Sequence, residues 1–135
     1  MGAAPTEVFA CDLVRAADLT LGRGRLHARL SQMPSEADTD AEDLERLLLA
    51  FEELASNGLR HGDAPVRVKV TAYSRGWLID VTDTAVDRPP TPAVDRDPAQ
   101  GGLGLYLVAR LSQQHGWSVD TDRKHVWACL HRTAA

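Results

Sequence analysis

The chain has 135 residues, 44% of them apolar and 25% charged, with a formal net charge of −4. A chain of this length makes one domain that buries roughly two-thirds of its unfolded surface, and the composition excludes wholesale disorder. The acidic balance argues against a nucleic-acid binder, whose phosphate contacts need a basic footprint.

Val8 to Leu13 is a short apolar run that reads as an edge strand. Thr20 is placed to cap a helix running to about Met33, with Leu26, Leu30 and Met33 at helical spacing. Gly22 and Gly24 each cost about 1 kcal/mol there relative to alanine, which predicts an irregular first turn. After the Pro34-Ser35 loop comes the clearest element. Asp38, Thr39 or Asp40 caps it, and Leu44, Leu47, Leu48, Phe51, Leu54, Ala55 and Gly58 keep the period of a helix. It should stop near His61-Gly62, where glycine supplies a C-terminal end.

Val66, Val68 and Val70 alternate with Arg67, Lys69 and Thr71, the pattern of a half-buried strand. Ser74-Arg75-Gly76 turns the chain into a partner strand from Trp77 to Asp83. Thr84 to Gln100 then breaks every periodicity and carries Pro89, Pro90, Pro92 and Pro98. A structureless stretch of that length inside a domain is usually functional or disordered. Gly101-Gly102-Leu103-Gly104 opens a helix carrying Leu107 and Leu111 and ending at His115-Gly116. A second hairpin, Trp117–Thr121 and Val126–His131, closes the chain through a turn at Asp122-Arg123-Lys124. Hairpins with helices grouped beside them predict an α+β fold: a two-layer sandwich with a mixed, mostly antiparallel sheet and helices on one face.

No stretch approaches the ~18 apolar residues of a membrane helix, and Leu47–Phe51 stops at Glu52. The first residues lack the basic flank and apolar run of a secretory signal. Cys11 and Cys129 are the two cysteines, without CxxC spacing. That excludes a disulfide scaffold or a cysteine-built zinc site and fits a reduced, cytoplasmic protein. The two are candidates for neighbouring strands. Trp117 and Trp127 read as core or dimer-face packing.

Three constellations carry chemistry. Glu53, Asn57 and His61 stand four apart on the long helix, each turned about 40° from the last. They form a polar stripe drifting towards the apolar face, which is either a ligand-facing set or a solvated surface. Asp83 ends a strand, where a carboxylate either accepts from a ligand amine or starts a turn. Gly101-Gly102-Leu103-Gly104 at a helix start either admits an anion to free N–H groups or marks a sharp entry turn. It is neither a dinucleotide fingerprint nor a P-loop, since no strand–GxGxxG–helix unit and no GK[ST] is present.

Their order resembles the GHKL superfamily of histidine-kinase-like ATPases and kinases. Glu53-Leu54-Ala55-Ser56-Asn57-Gly58-Leu59-Arg60-His61-Gly62 is similar to its N box, and Val81-Thr82-Asp83 to the start of its G1 box. Gly101-Gly102-Leu103-Gly104-Leu105-Tyr106-Leu107-Val108 is similar to its G2 box. His125-Val126-Trp127 after Lys124 resembles small actinobacterial members. The resemblance spans about residues 8 to 131, and in size and box spacing it is closest to RsbW-type anti-sigma-factor serine kinases.

That resemblance implies ATP and Mg²⁺ as cofactors. Asn57 would hold Mg²⁺, Glu53 would act as general base, and Asp83 would accept from the adenine amine. Gly102, Leu103, Gly104 and Leu105 would line the phosphates, with residues 84–101 as a nucleotide lid. His61 would have a structural or supporting role. The whole chain would be one such domain, with tails at residues 1–7 and 132–135. Partners would be a sigma factor and an anti-anti-sigma (STAS-type) antagonist, within a homodimer. One departure stands out: the family's Asp-x-Gly-x-Gly reads Asp83-Thr84-Ala85-Val86-Asp87 here, which removes backbone freedom and adds a methyl group beside the base. A partner-sequestering module without catalysis, and a plain scaffold without nucleotide, are the competing readings.

Overall fold

A computed structural model describes residues 5–32, 41–88 and 108–131. The elements are β1 (Thr6–Leu13), α1 (Ala16–Gln32), α2 (Ala41–His61), β2 (Val66–Tyr73), β3 (Gly76–Asp83), β4 (Gln114–Val119) and β5 (Lys124–His131). The strands form one sheet in the order β1-β2-β3-β5-β4, and every described pairing is antiparallel. The helices cover one face of it, which is the expected α+β sandwich.

Alternation decides which side chains reach the core. Val66, Val68, Val70 and Ala72 on β2 stand beside Trp77, Ile79 and Val81 on β3 and Val126, Ala128 and Leu130 on β5, all buried on the helix side. Against them α2 sets Leu47, Leu48, Phe51, Leu54 and Ala55. A bulge between Glu7 and Phe9 lets consecutive Val8 and Phe9 both be buried. Phe9 then meets Phe51 edge-to-face, with ring centroids 5.9 Å apart.

The first helix starts earlier than Thr20. The Asp18 carboxylate, in its first turn, reaches back to accept N–H groups from Val14 (2.8 Å) and Arg15 (3.1 Å). Those bonds satisfy donors that a helix start leaves free. The helix is continuous through Gly22 and Gly24, so no irregular turn forms. Gly22 is buried beside Phe51 and Cys11, whereas Gly24 faces open space. The expected cap of α2 at residues 38–40 lies outside the described residues.

The third helix also ends sooner than expected. Residues 108–111 are helical, and the Ser112 N–H and hydroxyl both donate to the Val108 carbonyl. His115 and Gly116, expected at the helix end, are in β4. On the outer face of that pairing Gly116 stands opposite Trp127, whose ring would lie 2.9 Å from a Cβ at that position. Trp127 is half-buried there, but Trp117 is 45% exposed and is not core.

Cys11 and Cys129 are free and lie on β1 and β5, with β2 and β3 between them, so they are not on neighbouring strands. Burial raises the pKa of both thiols. Among the described residues, no helix is long and apolar enough to cross a membrane.

Candidate functional site

The site forms where the end of α2 lies on the end of β3. Two glycines set that approach. A Cβ on Gly58 would come within 2.9 Å of Val81 and 3.2 Å of Val66, so only a bare helix edge lets α2 sit this close to the sheet. One turn later, a Cβ on Gly62 would stand 2.6 Å from the Asp83 carboxylate. Gly62 does not have the positive φ of a typical glycine cap; the carboxylate, together with the Gly58 carbonyl 2.7 Å from the same Cβ, is what leaves no room for a side chain.

On the same helix, Asn57 is 7% exposed, and its carboxamide has no hydrogen-bond partner among the described residues. A buried amide left without partners costs about 1–3 kcal/mol, so such a group calls for a ligand. Its oxygen suits Mg²⁺, which binds oxygen donors and often takes only one or two from protein. Glu53, one turn earlier, is partly exposed and likewise makes no ion pair or hydrogen bond among the described residues. Neighbouring Glu52 faces outward to Arg23 at 3.5 Å, a surface pair. His61 is the exposed last residue of α2.

Asp83 is 1% exposed, on the helix-side face of β3. Its Oδ1 accepts the Ala85 N–H at 2.7 Å, and its Oδ2 lies 3.5 Å from Nζ of Lys124. Lys124 is its direct cross-strand partner, only 3% exposed, and donates to the Arg88 carbonyl at 2.8 Å. Of the two roles foreseen for Asp83, the turn is the one seen: Oδ1 holds the Ala85 N–H, while Oδ2 stands beside the Lys124 ammonium. Ala85, where the G1 box usually has glycine, is buried, and among the described residues no non-glycine residue has a positive φ.

The segment after β3 is tied to the loop between α2 and β2. Thr84 donates its N–H to the Asp63 carbonyl and its hydroxyl to the Ala64 carbonyl. Arg88 pairs with Asp63 at 2.6 Å, which raises the guanidinium pKa and lowers that of the carboxylate.

Of the expected site residues, Asn57 and Glu53 lie one turn apart on α2, the helix whose end meets Asp83 at Gly62. Gly102, Leu103, Gly104, Leu105 and residues 89–101 of the expected lid lie outside the described residues. Lys124, which the sequence places in a turn, stands instead at the start of β5, opposite Asp83. Its signal lay in the alternation of Lys124, Val126, Ala128 and Leu130, a cation at an inward position of an apolar strand face. Among the described residues, no group of three or more His, Cys, Asp or Glu could hold a metal ion.

No curated protein matches the chain. A family model, the histidine kinase-like ATPase domain, matches residues 16–130. That span holds α1, α2, four of the five strands and every residue of the site just described. With its α+β sandwich and its N-box helix over the G1 aspartate, the chain belongs to the histidine kinase-like ATPase domain family, and so to the GHKL superfamily.

Proposed function

We propose that this protein is an ATP-dependent serine kinase of the RsbW anti-sigma type. The observation that carries this reading is the buried carboxamide of Asn57, which has no hydrogen-bond partner among the described residues, one turn from a Glu53 that is likewise unpaired among them, on the helix whose end meets Asp83. Mg-ATP, when bound, supplies an electrophilic γ-phosphoryl with its charge partly neutralised. Asn57 contributes the protein oxygen to the metal, and Asp83 accepts from the exocyclic amine of the base. Glu53 takes the proton from the serine hydroxyl of the antagonist protein as its oxygen bonds to phosphorus and ADP departs. Such chemistry asks mainly for positioning and charge neutralisation. In the absence of that antagonist the same domain, as a homodimer in the cytoplasm, would sequester a sigma factor.

Calorimetric titration with ATP, with and without Mg²⁺, tests the nucleotide site. Micromolar, Mg²⁺-dependent binding that is lost in Asn57→Ala is expected. Glu53→Ala should retain binding and lose phosphoryl transfer to an antagonist serine. One observation favours a second reading: the Ala85 N–H and Lys124 already engage Asp83, as they would in a sequestering module without catalysis. Absence of ATP binding in the native protein would make that module the better account.

A further inference from the structure

We propose that Lys124 is a nucleobase-specificity residue, which together with Asp83 reads a ring nitrogen and the adjacent exocyclic amine of adenine. The inference rests on the nucleotide reading above and adds a residue and a selectivity to it.

Asp83 and Lys124 face each other across β3 and β5, and their side chains are 2% and 4% exposed. Asp83 commits Oδ1 to the Ala85 N–H, at 2.7 Å. Oδ2 lies 3.5 Å from the ammonium, a separation that leaves its lone pairs open. Lys124 carries three N–H donors, and among the described residues one donates, to the Arg88 carbonyl at 2.8 Å. A buried charge pair this loosely satisfied is costly unless further partners complete it.

What remains is one carboxylate oxygen beside one ammonium. That pair complements a donor next to an acceptor. Adenine offers this pattern, with its 6-amine flanked by N1 on one side and N7 on the other. Guanine fits less well, because in the same pose its 6-oxygen replaces the 6-amine and sets an acceptor against the carboxylate oxygen, and unpaired buried acceptors discriminate strongly.

Arg88 explains how the ammonium is held in the free chain. Its carbonyl fills the acceptor position that the ring nitrogen would take, and its guanidinium is anchored to Asp63. Binding exchanges one acceptor for the other.

The test compares ATP, GTP, 1-deaza-ATP and 7-deaza-ATP by calorimetry on the native protein and on Lys124→Met. In the native protein one of the two deaza analogues, and GTP, should bind about tenfold or more weakly than ATP. Lys124→Met should bind ATP and that deaza analogue equally. Lys124→Gln, which keeps a donor, should restore part of the preference and guards against a variant that fails to fold. Equal binding of ATP and both deaza analogues by the native protein would overturn the role of Lys124 while leaving the ATP site standing. Absence of ATP binding altogether would overturn both.

Discussion

Gly62 sits directly on the carboxylate of Asp83: a Cβ at Gly62 would lie 2.6 Å from both Cγ and Oδ2. The end of α2 is thus pressed onto the one acidic side chain at the inner end of β3. A methyl group there must push the carboxylate aside or lift the helix end. Gly62→Ala is therefore expected to cost about 1–3 kcal/mol, the usual range for overpacking a tight site. Urea denaturation measures the loss, and ATP titration of the folded variant should show weakened binding. An unchanged midpoint would mean that the helix end yields freely.

The ion pair between Asp63 and Arg88 holds the chain after β3 over Asp83 and Lys124. Both partners are more than half exposed, so the pair adds little to stability. Asp63→Asn should leave the unfolding midpoint within about 0.5 kcal/mol of native. It should also tighten ATP binding, because the Arg88 carbonyl is then more easily exchanged. Weaker binding in this variant would show that the segment supports the pocket instead of competing for it.

His125 gives the fold a pH dependence. Its Nδ1 lies 3.0 Å from Asp80 and its Nε2 2.8 Å from Asp120. Burial alone would lower its pKa, but hydrogen bonds and charges from the two aspartates outweigh it, and the net direction is up. A raised folded pKa stabilises fully below the unfolded value, about 6.5. That contribution is lost as pH rises through the higher folded value. Stability should accordingly fall between pH 6 and pH 8 from this group. Denaturation midpoints at the two pH values should differ less in Asp120→Asn than in the native protein, and an unchanged difference would remove His125 as the cause.

Gly24 lies inside α1 with nothing within 4 Å of a Cβ built on it. Gly24→Ala should stabilise the fold by up to about 1 kcal/mol through helix propensity alone. Thermal or urea unfolding would register the gain. Gly22→Ala, by contrast, would bring its methyl to 3.4 Å from Phe51 and Cys11, and should gain less.

Periodicity and local chemistry by themselves determined much of this protein. The alternation at Val66–Thr71 and Trp77–Asp83 specified the central hairpin, and the leucine spacing specified α2 with its Glu53–Asn57 stripe. Both signals are local: side-chain direction repeats every two residues in a strand and about every 3.6 in a helix. Tertiary structure decided the rest. Asp18 set the start of α1 by reaching backwards to backbone donors, and pairing with β5 puts Gly116 in a strand opposite Trp127. Lys124 is legible as a turn residue until β5 pairs with β3 and places it opposite Asp83. Gly62 is a helix stop in one dimension and a carboxylate's neighbour in three. In each case the deciding contact joins residues on different elements or depends on backbone partners, so composition and spacing along the chain contain no record of it until the sheet closes.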